Sequence, residues 1–313
     1  MSLISPLLPL VAVALDLTVG DPQGWPHPVR ALGALLERLE PLARKGPFPL
    51  RLAGALCVGT LALAAGGGAW LMGALPVLGW LASLYLAYAG LALGSLLSEG
   101  RAVLALVEGG DLTGARRALA MLVSRDTAEL DEEGVCRALA ETLAENLGDG
   151  FVGPFLFLVL FGVPGLWVYK AVSTMDSMWG YKTEAWRELG WAAARCDDVL
   201  AFVPARLAAV FLFIAGGLAR ENGVSTWGAV RRDAARMASP NAGWPMAATA
   251  WALGAGMGGP AFYFGEVVNK PRLGPETGRW DVARVRRLLR LLPRAGLLTS
   301  FVLLALFLAL KAV

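Results

Sequence analysis

Long apolar stretches alternate with shorter polar ones along most of the chain. Five of them are apolar over roughly the 20 residues that a helix needs to cross a bilayer. They cover residues 3–19, 52–72, 74–97, 199–219 and 295–313. Asp16 interrupts the first stretch, and Lys311 is the one charge in the last. The pattern predicts an all-α, polytopic integral membrane helical bundle with roughly five to eight spans.

Two further apolar stretches, residues 151–168 and 244–264, are interrupted by glycine and proline. Broken apolar segments are tolerated at membrane depth only where they are buried in protein or line a cavity. We therefore expect both stretches to be re-entrant or broken helices that help to form a site.

Lysine and arginine cluster in the polar segments close to the apolar ends. By the positive-inside rule such segments lie in the cytoplasm. We expect a single membrane-embedded domain, residues 1–313, whose segments 98–150 and 220–294 are mainly helical and lie on the cytoplasmic side. Residues 170–198 are also basic, so residues 151–168 should dip in and return, or pack inside the protein. Residues 199–219 should then pair with another partial span.

Composition agrees with a lipid environment. The chain has 313 residues, of which 56% are hydrophobic and 17% are charged. Typical soluble domains are about 45–50% apolar and about 25% charged. The formal net charge of +3 provides no basic field for nucleic acid. The first apolar stretch lacks the basic start and the small-residue cleavage site of a secretory signal, so we expect it to be retained.

The densest group of charges within apolar sequence runs from Glu141 to Asp198. Ionisable groups near membrane depth are costly and are functional-site candidates by default. Glu141 and Glu145 are four residues apart and share a helix face, where like carboxylates repel unless a cation lies between them. Mg²⁺ is the hard cation that suits such oxygen ligands. A solvated acidic face and ordinary interface charges are the alternatives.

Two turns add further candidates. His27, the only histidine, lies between two prolines. It is a candidate general base or a hydrogen-bonding partner of a phosphate, or else a structural residue in a rigid turn. Residues 239–243, Ser-Pro-Asn-Ala-Gly, form a turn that either holds an anion or only begins a helix.

Common catalytic motifs are absent. The sequence has no P-loop, no GxGxxG that opens a helix before a distant acid, no HExxH and no GxSxG. The three cysteines form no CxxC pair or metal-ligand spacing. A nucleotide would therefore bind here at a site of another kind.

Six sequence blocks occur in a fixed order along residues 16–274. They are GDPQGWPHPVRALG, VSRDTAEL, AETLAENLGDGFVGP, YKAVSTMDSMWGYK, GWAAARCDDVLAFVPAR and SPNAGWPMAATAWALG. Together they resemble the CobD/CbiB family. Two positions depart from the family pattern: Met175 stands where leucine is expected, and Ser124 stands where glycine is more usual.

The resemblance implies an acid–amine (carbon–nitrogen) ligase of cobalamin biosynthesis, adenosylcobinamide-phosphate synthase. Such an enzyme joins the corrinoid adenosylcobyric acid to (R)-1-amino-2-propanol O-phosphate and consumes ATP with Mg²⁺. It would be a multi-pass protein of the cell (inner or plasma) membrane, surrounded by lipid, with its active site facing the cytoplasm. Ethanolamine phosphate as the donor stays open, as does association into a homo-oligomer or with later cobalamin-assembly enzymes.

The resemblance and the charge pattern together assign roles as hypotheses, with all the groups around one cation-and-phosphate pocket. The catalytic candidates are Asp149, Asp176, Asp197, Asp198 and His27. The metal candidates are Glu141, Glu145, Asp149, Asp197, Asp198 and Asp21. The candidates for binding nucleotide, phosphate or corrinoid are Lys170, Lys182, Arg195, Arg125, Asn241 and Ser239.

Two other functions remain open on the sequence. Intramembrane charges and broken helices also suit a membrane transporter, although no internal repeat is visible. An AmpE-like membrane signalling protein is the second alternative, but a regulator has no chemical need for the central cluster of acids and bases.

Overall fold

We describe the protein from a computed structural model, which covers residues 7–22, 24–181, 183–218, 226–263 and 265–312. These residues form helices joined by short loops and one two-stranded antiparallel sheet. The helices are α1 (Leu8–Val19), α2 (Pro28–Lys45), α3 (Leu50–Gly73), α4 (Gly79–Ala89), α5 (Leu93–Glu108), α6 (Leu112–Ala120), α7 (Glu132–Asn146), α8 (Gly153–Trp179), α9 (Trp191–Leu200), α10 (Phe202–Leu218), α11 (Trp227–Ala234), α12 (Gly243–Leu253) and α13 (Val282–Ala312). The strands are β1 (Met257–Tyr263) and β2 (Glu266–Leu273), and Leu147–Val152 forms a π-helical turn. The predicted all-α class is confirmed, with one small hairpin added.

Four helical stretches of the described residues are long and apolar enough to cross a membrane. They are Leu50–Gly73, Gly79–Glu108, Glu132–Trp179 and Val282–Ala312. A fifth candidate is the bent pair Trp191–Leu200 and Phe202–Leu218. The predicted spans at residues 52–72, 74–97, 199–219 and 295–313 coincide with these stretches, so the chain is a multi-pass membrane protein.

Of the apolar stretch at residues 3–19, α1 accounts for 12 residues. Residues 3–6 lie outside the described residues, so a span at this place stays a prediction. In residues 244–264 the predicted break is present: α12 ends at Leu253, with Gly254 as its C-cap, and the chain continues as the strand β1 rather than as a second helix. Glycines with positive φ at positions 254, 258 and 259 make this change of direction possible.

The chain divides into two compact units, and unit 1 comprises the described residues of Met1–Gly94, Gly153–Ala201 and Val302–Val313. Its central helix is α8, which packs against α2, α3, α4 and α9. The core of this packing includes Leu36, Leu61, Met175, Trp179 and Leu189. Gly162, with φ of 70° and ψ of −167°, and the nearby Pro164 interrupt α8. The predicted break in residues 151–168 is therefore confirmed.

Glycines let the helices of unit 1 approach closely, as small residues do in membrane bundles. A Cβ atom at Gly54 would lie 2.0 Å from the carbonyl oxygen of Leu189. A Cβ at Gly66 would lie 2.7 Å from Val168 Cγ2. No larger residue fits these positions unless a neighbour moves.

Unit 2 comprises the described residues of Ser95–Val152 and Phe202–Phe301. Helix α12 lies at its centre and packs against α7, α10 and α11. Most residues of α12 are buried, because the helix is small and apolar on all sides. The hairpin of β1 and β2 packs against α12, and β1 also contacts α7.

Replacing Gly54 by alanine should destabilise the protein, whereas the same replacement of Gly59 on the same helix should not. The new methyl group at residue 54 would overlap a backbone carbonyl, while a Cβ at Gly59 meets nothing within 4 Å. Overpacking of this kind costs about 1–3 kcal/mol, and Gly→Ala at an open helical site is neutral or favourable. Thermal unfolding in one detergent would compare the two variants, and equal melting temperatures would contradict the packing described here.

Candidate functional site

The predicted site residues belong to both units. Unit 1 holds Asp21, His27, Lys170, Asp176, Arg195, Asp197 and Asp198. Unit 2 holds Arg125, Glu141, Glu145, Asp149, Ser239 and Asn241. Lys182 lies outside the described residues. The single pocket that would join the two groups stays a prediction.

His27 caps the N-terminus of α2. Its Nδ1 accepts a hydrogen bond from the backbone N–H of Val29 at 3.3 Å. A neutral imidazole that accepts at Nδ1 carries its proton at Nε2, and Nε2 lies 3.9 Å from Asp21 Oδ1. Tyr85 Oη donates to the carbonyl oxygen of Pro26 at 2.9 Å and helps to hold the turn. In this arrangement His27 can donate a hydrogen bond to an anion through Nε2–H. The lone pair of Nδ1 already accepts the hydrogen bond from Val29.

Three charges surround His27. The imidazole is largely buried, and burial is the main cause that lowers its pKa below the ordinary 6.5. Arg30 and Lys170 lower the pKa further, and Asp21 opposes them. His27 is therefore neutral at physiological pH.

Asp16 is a buried carboxylate that the roles predicted from sequence did not include. Its Oδ2 accepts from the backbone N–H groups of Leu93 at 3.0 Å and Gly94 at 3.1 Å, at the first turn of α5. A carboxylate at a helix N-terminus satisfies free N–H groups and complements the helix dipole. Lys170 of α8 lies within electrostatic range of Asp16 as well as of His27. The interruption of an apolar stretch by an acid was the signal in the sequence.

The remaining predicted carboxylates of unit 1 lie on α8 and α9. Asp176 is half-buried in the last turn of α8, where the helix dipole disfavours negative charge. Asp197 and Asp198 are half-buried on α9, and Asp198 Oδ2 lies 3.5 Å from Arg195 Nη1. Asp176 and the pair Asp197 and Asp198 thus lie on two helices that pack against each other.

Glu141 is the most buried of the predicted acids, with 2% of its side chain exposed. Its Oε2 forms an ion pair with Arg125 Nη2. Its Oε1 accepts from the backbone N–H of Gly258 at 2.6 Å. Glu141 therefore ties the loop before α7 and the start of β1 to the middle of α7.

Arg125 is nearly as buried as its partner, with 11% of its side chain exposed. Burial is the largest single effect on its pKa and lowers it, but the charge and hydrogen bond of Glu141, together with Tyr263 and Glu145, outweigh burial. The pKa therefore lies above the ordinary value and the guanidinium stays charged. The Nε atom of Arg125 is buried and donates to no atom of the described residues. Buried groups without partners are rare in folded proteins and often lie near functional sites.

A π-helical turn follows α7 and contains Asp149. Glu145 is half-buried one turn after Glu141, and the charges of Lys270 and Arg125 act on it. Asn146 Nδ2 donates to the carbonyl oxygen of Thr142 at 2.9 Å. The π-helical turn Leu147–Val152 widens the helix at the sequence LGDGFV, and such turns are frequent at functional sites. The half-buried carboxylate of Asp149 is thus held in distorted helical backbone.

The donor set limits how Mg²⁺ can be held. In neither unit do three His, Cys, Asp or Glu side chains of the described residues converge as metal ligands. Both oxygens of Glu141 are engaged with protein donors. Mg²⁺ usually keeps several waters and binds through one or two carboxylates plus substrate phosphates. The described residues fit an ion held mainly by phosphate and water, rather than by a cage of protein ligands.

Ser239 and Asn241 shape the turn before α12. Ser239 Oγ accepts from the backbone N–H groups of Asn241 at 3.3 Å and Ala242 at 3.2 Å. Asn241 is buried, and its Oδ1 accepts from Arg206 Nη1 at 3.4 Å. These contacts support the interpretation as a turn that begins a helix, and the anion-binding role stays a prediction.

The structure also brings together basic residues that no predicted role included. A cleft of about 540 Å³ in unit 2 has four cations in its wall. We call it the basic cleft, and its lining residues are Arg232, Asp233, Arg236, Trp251, Lys270, Pro271, Arg272, Gly274, Pro275 and Glu276. In the sequence these cations occur in RRDAAR and NKPR, about 35 residues apart and without a recognised motif.

Removing one partner of the buried pair should cost far more stability than removing a partner of an exposed pair on the same helix. Glu141→Ala leaves Arg125 buried and uncompensated, and breaking a buried pair typically costs about 3–5 kcal/mol. The control is Glu133→Ala, because Glu133 pairs with Arg137 at 3.5 Å with about a third of each side chain exposed; such pairs contribute about 0–1 kcal/mol. Urea or thermal unfolding in detergent measures both, and similar losses in the two variants would contradict the arrangement around Glu141.

Protonation of His27 at low pH should lower the free energy of unfolding. Because the folded state lowers the pKa of His27 below 6.5, the unfolded chain binds the proton more tightly. The free energy of unfolding should therefore fall as pH decreases below about 6.5. In His27→Asn, whose side-chain oxygen can replace Nδ1 as the cap acceptor, this part of the pH dependence should disappear. Melting curves at several pH values for the two proteins measure the difference, and parallel pH profiles would show that His27 does not titrate in this way.

Comparison with known proteins identifies the family. The family model described as CobD/Cbib protein matches residues 9–292. The chain is 39% identical over 300 residues to "Cobalamin biosynthesis protein CobD" of Klebsiella pneumoniae subsp. pneumoniae, covering 90% of this chain and 91% of the relative. It is 42% identical over 291 residues to the protein of the same name from Geobacter metallireducens, with 90% and 91% covered.

A third relative is "Cobalamin biosynthesis protein CbiB" of Salmonella typhimurium, which is 40% identical over 306 residues, with 94% of this chain and 95% of the relative covered. No solved structure matches the chain. Because the family model and these relatives extend over almost the whole sequence, the chain belongs to the CobD/CbiB family of cobalamin biosynthesis proteins.

Proposed function

We propose that this protein is an ATP-dependent amide ligase that joins adenosylcobyric acid to (R)-1-amino-2-propanol O-phosphate and so produces adenosylcobinamide phosphate. The observation that carries the proposal is the family match over residues 9–292, in a chain whose relatives are named cobalamin biosynthesis proteins. The acids and bases described above supply the types of group that this chemistry needs.

The reaction needs activation of the carboxylate, because an amide does not form spontaneously from carboxylate and ammonium in water. In the proposed first step, a carboxylate oxygen bonds to the γ-phosphorus of ATP, the bond to the β-phosphate oxygen breaks, and ADP leaves. In the second step, the amine nitrogen bonds to the acyl carbon, the bond from carbon to the phosphate oxygen breaks, and inorganic phosphate leaves. A basic group takes the proton from the amine nitrogen. Mg²⁺ bound to the phosphates would neutralise part of their charge.

The geometry refines the candidates for the base. Glu141 is an unsuitable base, since both of its carboxylate oxygens accept hydrogen bonds from the protein. His27 is unsuitable for a similar reason, since its Nδ1 lone pair accepts from Val29. The base candidates that stay are the half-buried acids Asp149, Asp176, Asp197 and Asp198. We give first place to Asp149, because it lies in the π-helical turn.

Positive groups would hold the phosphates. In unit 1, the charge of Lys170 acts on His27. We therefore propose that the ammonium group of Lys170 and the Nε2–H of His27 bind the same phosphate. In unit 2, Glu141 keeps the guanidinium of Arg125 charged and in place. In this proposal Glu141 is a positioning residue rather than a catalytic one.

We further propose that the enzyme lies in the cell (inner or plasma) membrane with its active site facing the cytoplasm. Support comes from the basic residues next to the apolar ends of the candidate spans, including Arg284, Arg286 and Arg290 in the first turns of α13. ATP and phosphorylated amines are cytoplasmic solutes, which fits the same orientation.

The proposal is tested with the purified protein in detergent, supplied with adenosylcobyric acid, aminopropanol phosphate, ATP and Mg²⁺. We expect equal amounts of ADP and adenosylcobinamide phosphate, with no product when ATP is omitted; mass spectrometry detects the amide. A parallel assay with ethanolamine phosphate compares the two donors. Sealed inverted vesicles should form product from external substrates, whereas right-side-out vesicles should not. Absence of both ADP release and amide in detergent would overturn the proposal.

Replacing Asp149 by asparagine tests whether the π-helical turn supplies the general base. Asp149→Asn keeps the shape of the side chain but removes its basicity, so kcat should fall about 10²–10⁴-fold if it is the general base. Glu133→Gln, earlier in the same helical stretch, serves as the matched control and should keep normal turnover. Equal melting temperatures would exclude misfolding, and normal turnover by Asp149→Asn would remove Asp149 from the base candidates.

A further inference from the structure

The basic cleft is built from two separate parts of unit 2. Arg232 and Arg236 come from α11 and the turn that follows it, while Lys270 and Arg272 come from β2. Arg236 Nη1 donates to the backbone carbonyl oxygen of Arg272 at 3.3 Å, so the two parts are in direct contact. The four cations line one cavity although about 35 residues separate the two pairs in the sequence.

A buried carboxylate fixes the floor of the basic cleft. Asp233 is 3% exposed, and its Oδ2 accepts from Trp251 Nε1 at 2.8 Å and from the backbone N–H of Gly274 at 2.9 Å. Gly274 has φ of +82°, and a Cβ there would lie 2.6 Å from Ala250 Cβ. The backbone at the edge of the cleft is therefore held in place before any ligand binds, which lowers the entropic cost of binding.

The charges of the basic cleft do not balance. The lining contains four cations and two carboxylates, Asp233 and Glu276, a net charge of +2. Outside the lining, Glu145 offsets part of the charge of Lys270. Asp233 is already compensated by its two N–H donors and by Arg232 Nε at 3.4 Å. Neighbouring like charges repel unless an anion lies between them. Arginine in particular binds phosphate through paired N–H groups.

Size and composition favour a soluble ligand over a lipid. At about 540 Å³ the cleft is large enough for a phosphorylated metabolite or a triphosphate chain. The apolar part of its lining consists of Trp251, Pro271 and Pro275, so no aliphatic wall is present for an acyl chain. The cleft also lies in α11, α12 and the hairpin, outside the helices that qualify as membrane spans.

We propose that the basic cleft is a binding site for the phosphate groups of a soluble phosphorylated compound, with Arg236, Lys270 and Arg272 as its main contacts. None of these residues was among the roles predicted from sequence. In assigning one of the two phosphate-bearing substrates to this cleft, the inference rests on the proposed function; the presence of an anion site does not.

Direct binding tests the cleft without the reaction. The full-length protein in detergent is titrated by calorimetry with inorganic triphosphate and, separately, with O-phosphoethanolamine, at low and high salt. We expect saturable binding of at least one probe that weakens as salt increases. Tighter binding of triphosphate would point to a nucleotide, and tighter binding of phosphoethanolamine to a phosphomonoester. Saturable binding of neither probe would overturn the inference.

Paired charge removals separate this site from a general effect of charge. Arg236→Gln/Arg272→Gln should weaken binding at least tenfold. The control, Arg231→Gln/Arg290→Gln, also removes two positive charges from unit 2, but outside the lining of the basic cleft, and should change binding less than twofold. Lys270→Gln serves as a second test if the double variant melts at a lower temperature. Equal losses of binding in the test and control variants would overturn the assignment. So would a result in which phosphatidylglycerol vesicles bind to the cleft and neither phosphate probe does.

The amide assay distinguishes failure of this inference from failure of the proposed function. If Arg236→Gln/Arg272→Gln loses phosphate binding in a protein that forms no amide, the cleft stands and the ligase proposal falls. If the same variant forms amide with unchanged KM for ATP and for the phosphorylated amine, the ligase stands and the assignment of a substrate to the cleft falls.

Discussion

Each buried carboxylate in this protein must find donors inside an apolar helical framework, and backbone N–H groups of glycine supply them. Asp16 accepts from Gly94, Glu141 from Gly258 and Asp233 from Gly274. Each of the three glycines is also a point of close approach, where a Cβ would lie between 1.8 and 2.6 Å from another atom. An unpaired charge at such a depth would cost several kcal/mol, so these contacts hold the backbone at Gly94, the start of β1 and the end of β2.

The same constraint separates structural acids from candidates for chemistry. Acids whose oxygens are fully engaged by protein donors hold loops and helices in position, and Glu141 does so while keeping Arg125 charged. The acids of α8, α9 and the π-helical turn are only half-buried, so part of each side chain is open to solvent. Among the described residues the deepest carboxylates hold the fold, so burial by itself does not identify a candidate for chemistry.

The helical part of the fold followed from local pattern. Apolar stretches of about 20 residues have few alternatives in a membrane, so residues 52–72, 74–97 and 295–313 were recognisable as spans. Glycine and proline in residues 151–168 indicated the break at Gly162, since they are the residues that interrupt helices. The hairpin could not be predicted in this way, because its strands are stabilised by pairing with each other and by contact with α7 and α12.

By itself the sequence determined the membrane environment, the helical class, the family resemblance and most of the residues worth testing, because each is written in composition, spacing or short blocks. Only the tertiary structure decided which of those residues are already paired. His27 and Glu141 looked equally available for chemistry until Val29, Arg125 and Gly258 were found beside them. The basic cleft likewise exists only in three dimensions, because its charges come from two segments that meet through Arg236 and Arg272. Partners distant in the chain leave no local pattern, so no reading of neighbouring residues could have placed them.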